Sequence, residues 1–171
     1  AVAYTTVLDH PDLPEALHPW VLARTALVLE RSDQPGEAAK RYAELLALHP
    51  QATWALLRQA IALTHAGQEA ATIPLYEALL EQHPNHPMIL NNLAWIYLTH
   101  PDRTQRRPER ALKLAEQAVA QEGSIDHWDT LAEAWFQNGD ASKAIEVLRQ
   151  AVREAPFPES RESYLQAQYE R

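Results

Sequence analysis

The sequence predicts an all-α protein, a right-handed α-solenoid in which one helix–turn–helix unit is written four times. Three observations predict it. Glycine is scarce, at 4 of 171 residues, while alanine, leucine, glutamate and glutamine fill the long segments. That composition favours helices over a turn-rich β architecture. Landmarks recur at a fixed distance: Pro50 and Pro84 lie 34 residues apart, and so do Tyr42 and Tyr76. Within each period, apolar residues fall at i, i+3, i+4 and i+7, the spacing of one helix face.

Taken in order, residues 1–18 read as the last turns of a preceding helix and a linker, since "AVAYTTVLDHP" closes on a proline, as in a piece of a longer array. Four units follow, at 19–52, 53–86, 87–124 and 125–158. The first helix of each carries a stripe: Leu22, Thr25, Ala26 and Leu29; Leu56, Gln59, Ala60 and Leu63; Leu90, Leu93, Ala94 and Tyr97; Trp128, Leu131, Ala132 and Trp135. The turns are "SDQPG", "HAGQ", a long polar insert and "QNGD". Each second helix brings a small residue and then others: Ala38, Tyr42 and Leu45; Thr72, Tyr76 and Leu79; Ala111, Ala115 and Ala118; Ala144, Leu148 and Ala151. Small residues let paired helices approach, and large ones fill the space between pairs. Gly67 and Gly139 lie 72 residues apart, two periods plus four, and the stretch "THPDRTQRRPER" is the expected home of the extra four. Residues 159–171 read as a capping helix, with Tyr164, Leu165 and Tyr169 turned to the last unit.

The boundary chemistry points the same way. Pro19, Pro35, Pro87 and Pro108 stand where a helix begins and a missing N–H costs nothing. Ser124 and Asp140 are placed as N-caps, and Pro50, Pro84 and Pro156 stop second helices. Pro74 breaks the pattern. It should fall past the first turn of a helix that begins near Gln68, so a bend or a late start is expected there.

These features resemble the tetratricopeptide repeat family over about 140 residues: the small–large pattern, the turn glycines, the alanines Ala38, Ala111 and Ala144, and the terminal prolines. The segment "WDTLAEAWFQNGDASKAIEVLRQAVREAP" carries the likeness most fully. The chain departs from the family in having alanine for glycine in all four first helices, and Gly123 where a proline is expected. The resemblance implies a superhelix whose concave face, lined by first helices, holds a peptide segment or a partner helix.

Helical period then picks out the residues of that face. Trp20, Arg24, Trp54, Arg58, Asn91, Asn92, Trp95, Asp126, Asp129 and Glu133 are the expected groove residues. Arg24 and Arg58 would clamp an acidic group, the asparagines would bond the ligand backbone, and the tryptophans would anchor it. The carboxylates would meet a basic end. A second reading packs Trp20 and Trp54 between neighbouring repeats, pairs Arg24 and Arg58 with Glu30 or other local acids, and has Asp126 balance its helix dipole. The insert adds a basic cluster, Arg103, Arg106, Arg107, Arg110 and Lys113, which reads either as a solvated turn or as a docking patch for an acidic partner or a phosphate.

What the sequence excludes narrows the function to binding. There is no cysteine for a disulfide, thiolate metal site or nucleophile, and this fits cytosol and periplasm alike. Six of the eight histidines (His10, His18, His49, His83, His86 and His100) stand beside loops, and neither a metal nor a cofactor is expected. No HExxH, GxSxG or phosphate loop occurs, so the chain reads as non-catalytic. A net charge of −8 argues against nucleic acid, and no apolar run nears the roughly 20 residues that a membrane span needs. Expected partners are a protein or peptide in the groove. The alternative is an assembly role, with the array stacking on itself or on other repeats through its end faces.

Overall fold

The computed structural model describes residues 6–8 and 10–154. Among them are eight long helices and no strand: α1 (His18–Arg31), α2 (Pro35–Leu48), α3 (Thr53–His65), α4 (Glu69–Gln82), α5 (Pro87–Thr99), α6 (Pro108–Gln121), α7 (Ile125–Gln137) and α8 (Ala141–Glu154). Residues 6–8 are also helical, and 3-10 turns occupy Glu15–Leu17 and Arg103–Gln105. The expected capping helix of residues 159–171 and the terminating Pro156 lie outside the described residues. The chain divides into two compact units, Ala1–Gln82 and His83–Arg171.

Helix starts follow the local chemistry. Pro35, Pro87 and Pro108 are the first residues of their helices and Pro19 is the second of its own. The Ser124 hydroxyl accepts from the His127 N–H, and the Asp140 carboxylate accepts from the Lys143 N–H at 2.9 Å. Loss of such a cap costs about 1 kcal/mol.

One hydrogen bond closes every elbow between a first and a second helix. The N–H of Gln34 reaches the Leu29 carbonyl at 3.0 Å, Gln68 reaches Leu63 at 2.9 Å, Asp140 reaches Trp135 at 3.0 Å, and Arg107 reaches Tyr97 at 3.0 Å. In three elbows the chain turns through a left-handed residue: Asp33 (φ 54°), Gly67 (φ 68°) and Gly139 (φ 87°). The elbow between α5 and α6 is longer, with eight residues between the helices against three in the others. The link from α6 to α7 has three residues, against four after α2 and after α4. The extra four residues of the third repeat are thus five gained in the elbow and one lost in the next link. That shortening explains Gly123: the Trp128 ring closes over it, and an added Cβ would stand 3.2 Å from the indole nitrogen. The same nitrogen donates to the Gly123 carbonyl.

In the first unit α1 packs on α2, α2 on α3 and α3 on α4. Its core joins Leu22, Ala26, Leu29, Ala38, Tyr42, Leu45, Ala55 and Leu63, with Tyr42 fully buried. The buried threonines need no distant partner, since Thr25 donates to the Val21 carbonyl and Thr72 to the Gln68 carbonyl, one turn back. Pro74 is exposed inside α4, which runs from Glu69 to Gln82 without the expected late start. Burial of Thr72, Tyr76 and Leu79 on the opposite stripe holds the helix across the lost N–H.

In the second unit α5 packs on both α6 and α7, α6 on α7, and α7 on α8. The buried face of α5 extends well beyond one stripe: Ile89, Leu90, Leu93, Ala94, Ile96, Tyr97 and Leu98 are all buried. Elsewhere the stripes thin out, and Leu56, Gln59, Trp135 and Leu148 are only half-buried.

Candidate binding faces and the basic elbow

The first helices of the first unit carry an open apolar groove. Trp20 and Trp54 occupy the same place in successive repeats, and each is more than half exposed, at 57% and 52%. With Ala23, Leu45, Leu48 and Pro50 they line a groove of ≈ 590 Å³. The Trp54 ring stands edge-on to Tyr42, with centroids 6.4 Å apart and planes at 87°. Exposed tryptophans of this kind are enriched at interaction surfaces.

Beside Trp54, a polar knot fixes Arg58. Its Nη2 pairs with Glu30, and its Nε donates to the Tyr42 hydroxyl at 3.5 Å. The hydrogen bond to Tyr42, against the cost of burial, and the charge of Glu30 raise the Arg58 pKa above its ordinary value. Burial is also the largest cause pushing the Tyr42 phenol above its ordinary 10.0. Arg58 therefore has a partner within the fold, as in the reading that pairs it with Glu30. Glu30 keeps its second oxygen buried without a hydrogen bond. Arg24 is exposed on α1.

In the second unit the expected groove residues separate. Asn91, read from the sequence as a groove residue, is buried at 9% exposure, and its Oδ1 has no hydrogen-bond partner. The wide buried face of α5 takes it in. Asn92 and Trp95 are half-buried on the same helix. Asp126 is exposed in the first turn of α7, Asp129 is half-buried, and Glu133 accepts from Gln137 at 2.7 Å. Sequence reasoning missed a recess of ≈ 250 Å³ where Asp129 and Glu133 meet Phe136, Ile145 and Leu148. Phe136 and Ile145 are more than half exposed. The available signal was a phenylalanine one residue outside the α7 stripe.

The insert between α5 and α6 is a built elbow. Asp102 accepts from the Thr104 N–H at 2.9 Å and its hydroxyl at 2.7 Å, and these bonds hold its pKa below the ordinary value near 3.8. Arg106 donates to the His100 carbonyl at 2.8 Å. The guanidinium carbons of Arg107 and Arg110 lie 5.4 and 5.1 Å from the centroid of the buried Tyr97 ring. Arg103 and Lys113 are exposed.

Among the described residues no helix is long and apolar enough to cross a membrane. The geometry is that of a helical-repeat protein, in which pairs of short helices repeat and ligand-capable groups stand on first helices and elbows. Tetratricopeptide repeat models match residues 24–87, 75–113 and 102–157. The chain belongs to the tetratricopeptide repeat family, whose repeat is a protein-interaction module. No curated protein matches the sequence. Solved structures share the fold. MamA 41-end from Desulfovibrio magneticus RS-1 is 16% identical with a TM-score of 0.71, over 89% of this chain and 93% of that one. A crystal structure of MamA is 14% identical with a TM-score of 0.72, over 89% and 79%. Human IFIT1, a dimer with PPP-AAAA, is 19% identical with a TM-score of 0.64, over 78% of this chain and 32% of that one.

Proposed function

We propose that the chain is a non-catalytic interaction module that holds a segment of a partner protein against its first helices. The observation that carries this is the pair Trp20 and Trp54, one repeat apart, exposed, and lining one apolar groove. An extended or helical segment with two apolar side chains fits such a pair. Arg24 stands exposed to meet an acidic group on that segment. In the same reading, in the second unit, Asn92 bonds the ligand backbone, Trp95 anchors it, and Asp126, Asp129 and Glu133 meet basic side chains.

The test is the double change Trp20→Ala and Trp54→Ala. Both side chains are largely exposed, so thermal unfolding should move little. Each anchor contributes on the order of 1–3 kcal/mol, so loss of either should weaken partner binding about tenfold or more. Unchanged binding by the folded double variant overturns the reading.

A second reading, self-association, is favoured by the exposed Phe136 and Ile145 on α7 and α8. The IFIT1 structure above is itself a dimer. If this face carries the contact, sedimentation should show an oligomer that Phe136→Ser and Ile145→Ser disperse.

A further inference from the structure

The elbow between α5 and α6 concentrates positive charge in a chain of net charge −8, with five cations within residues 103–113. A solvated turn would need no internal order, yet this one is fixed at both ends. Asp102 and Thr104 close its start, Arg106 ties it to the His100 carbonyl, and the Arg107 N–H ties it to the Tyr97 carbonyl. Tyr97 then seats two guanidinium groups on one ring. A stacked guanidinium keeps its planar fork of N–H donors while losing little further freedom on binding. Lys40 is neutralised locally by Glu37 and the half-buried Arg41 by Glu44, whereas elsewhere among the described residues unpaired cations such as Arg24 and Arg31 stand singly. Among the described residues Arg103, Arg107 and Lys113 have no carboxylate within ion-pair reach.

We propose that this elbow is a docking site for a short acidic segment of a partner protein, with Arg103, Arg107, Arg110 and Lys113 receiving its carboxylates. The chemistry favours carboxylates over a polyphosphate chain. The elbow has no glycine and offers no nest of backbone amides for a phosphate. Glu109 stands between Arg107 and Arg110, and the acidic remainder of the chain repels a long polyanion beyond the elbow. Two or three carboxylates fit where a nucleic acid strand does not. The site is independent of the tryptophan groove and stands or falls separately.

A fluorescently labelled hexaglutamate peptide tests it by anisotropy. The full chain should bind it, should bind hexaglutamine at least tenfold more weakly, and should lose affinity as salt rises from low to physiological strength. Charge reversal at the exposed pair, Arg103→Glu with Lys113→Glu, removes contacts without touching Tyr97. Loss of two exposed pairs, with repulsion put in their place, should weaken binding by roughly three- to tenfold. Arg107→Gln with Arg110→Gln should add to that loss, and circular dichroism checks its fold. Trp54→Ala should leave hexaglutamate binding unchanged. The proposal is overturned if the full chain binds no hexaglutamate, or if the folded Arg103→Glu, Lys113→Glu variant binds it as before. It is also overturned if an oligonucleotide or inorganic phosphate displaces the peptide at lower concentration than unlabelled hexaglutamate does.

Discussion

Helices α3 and α5 hold the same place in successive repeats and present opposite chemistry. Among α3 residues only Ala55, Ala60, Ala62 and Leu63 are buried, and Trp54 and Arg58 stay within reach of solvent. Helix α5 buries eight residues, including Asn91. The elbows differ in the same sense. That of α3 is a tight glycine turn, while that of α5 carries three arginines, with Arg110 and Lys113 following in the first turns of α6. One repeat plan therefore exposes different side chains in each unit. The first unit exposes two tryptophans on its first helices, whereas α5 of the second unit buries a wider face and is followed by a longer, basic elbow. A shared fold fixes where groups can stand but not which of those places is used.

The contrast in burial is the easiest part to break, and it carries the largest expected effect. Leu93→Ala on α5 removes a fully buried side chain and should cost roughly 2–5 kcal/mol. Leu57→Ala on the half-buried face of α3 should cost clearly less. Urea denaturation of both variants decides it, and equal costs would remove the distinction between the two helices. Next in size is the knot beside the groove. Arg58→Ala strands Glu30 with a side chain only 17% exposed, so about 1–2 kcal/mol should be lost, after allowance for the exposed half of the pair. A double-mutant cycle with Glu30→Gln should show coupling, and additive effects would make the pair ornamental. The smallest effect is expected at Asn91. Its buried Oδ1 lacks a partner, so Asn91→Leu should be neutral or stabilise the fold by about 1 kcal/mol in thermal unfolding. A clear destabilisation would mean that Asn91 makes a contact the α5 face depends on.

Much of the fold was legible because periodicity and punctuation agree. The prolines at 35, 87 and 108 open helices, Asp140 caps one, and Gly67 and Gly139 turn through positive φ. Asp33 does the same work as those glycines and was not legible, since aspartate tolerates the left-handed region without announcing it. The count of four extra residues was right in sum and wrong in detail, because a spacing between landmarks cannot separate five gained from one lost. The late start expected at Pro74 failed for a different reason. Local propensity argued for a late start, but tertiary burial of Tyr76 and Leu79 outweighed it. The groove was half legible. Trp20 and Trp54 stand exposed as helical period requires, whereas the burial of Asn91 depends on how much of the α5 face tertiary packing covers, which no period encodes.

The hydrogen bond that closes each elbow has one more consequence, for chain entropy. Four residues separate donor from acceptor in three elbows, and nine separate Tyr97 from Arg107. Closing the longer loop costs only about 0.7 kcal/mol more, because the penalty grows with the logarithm of length. The bond lands on the matching carbonyl in every case, so α6 meets α5 in register as if nothing had been added. Length and fold are uncoupled at this point of the chain. A charged surface stands there without displacing the hydrogen bond that closes the elbow.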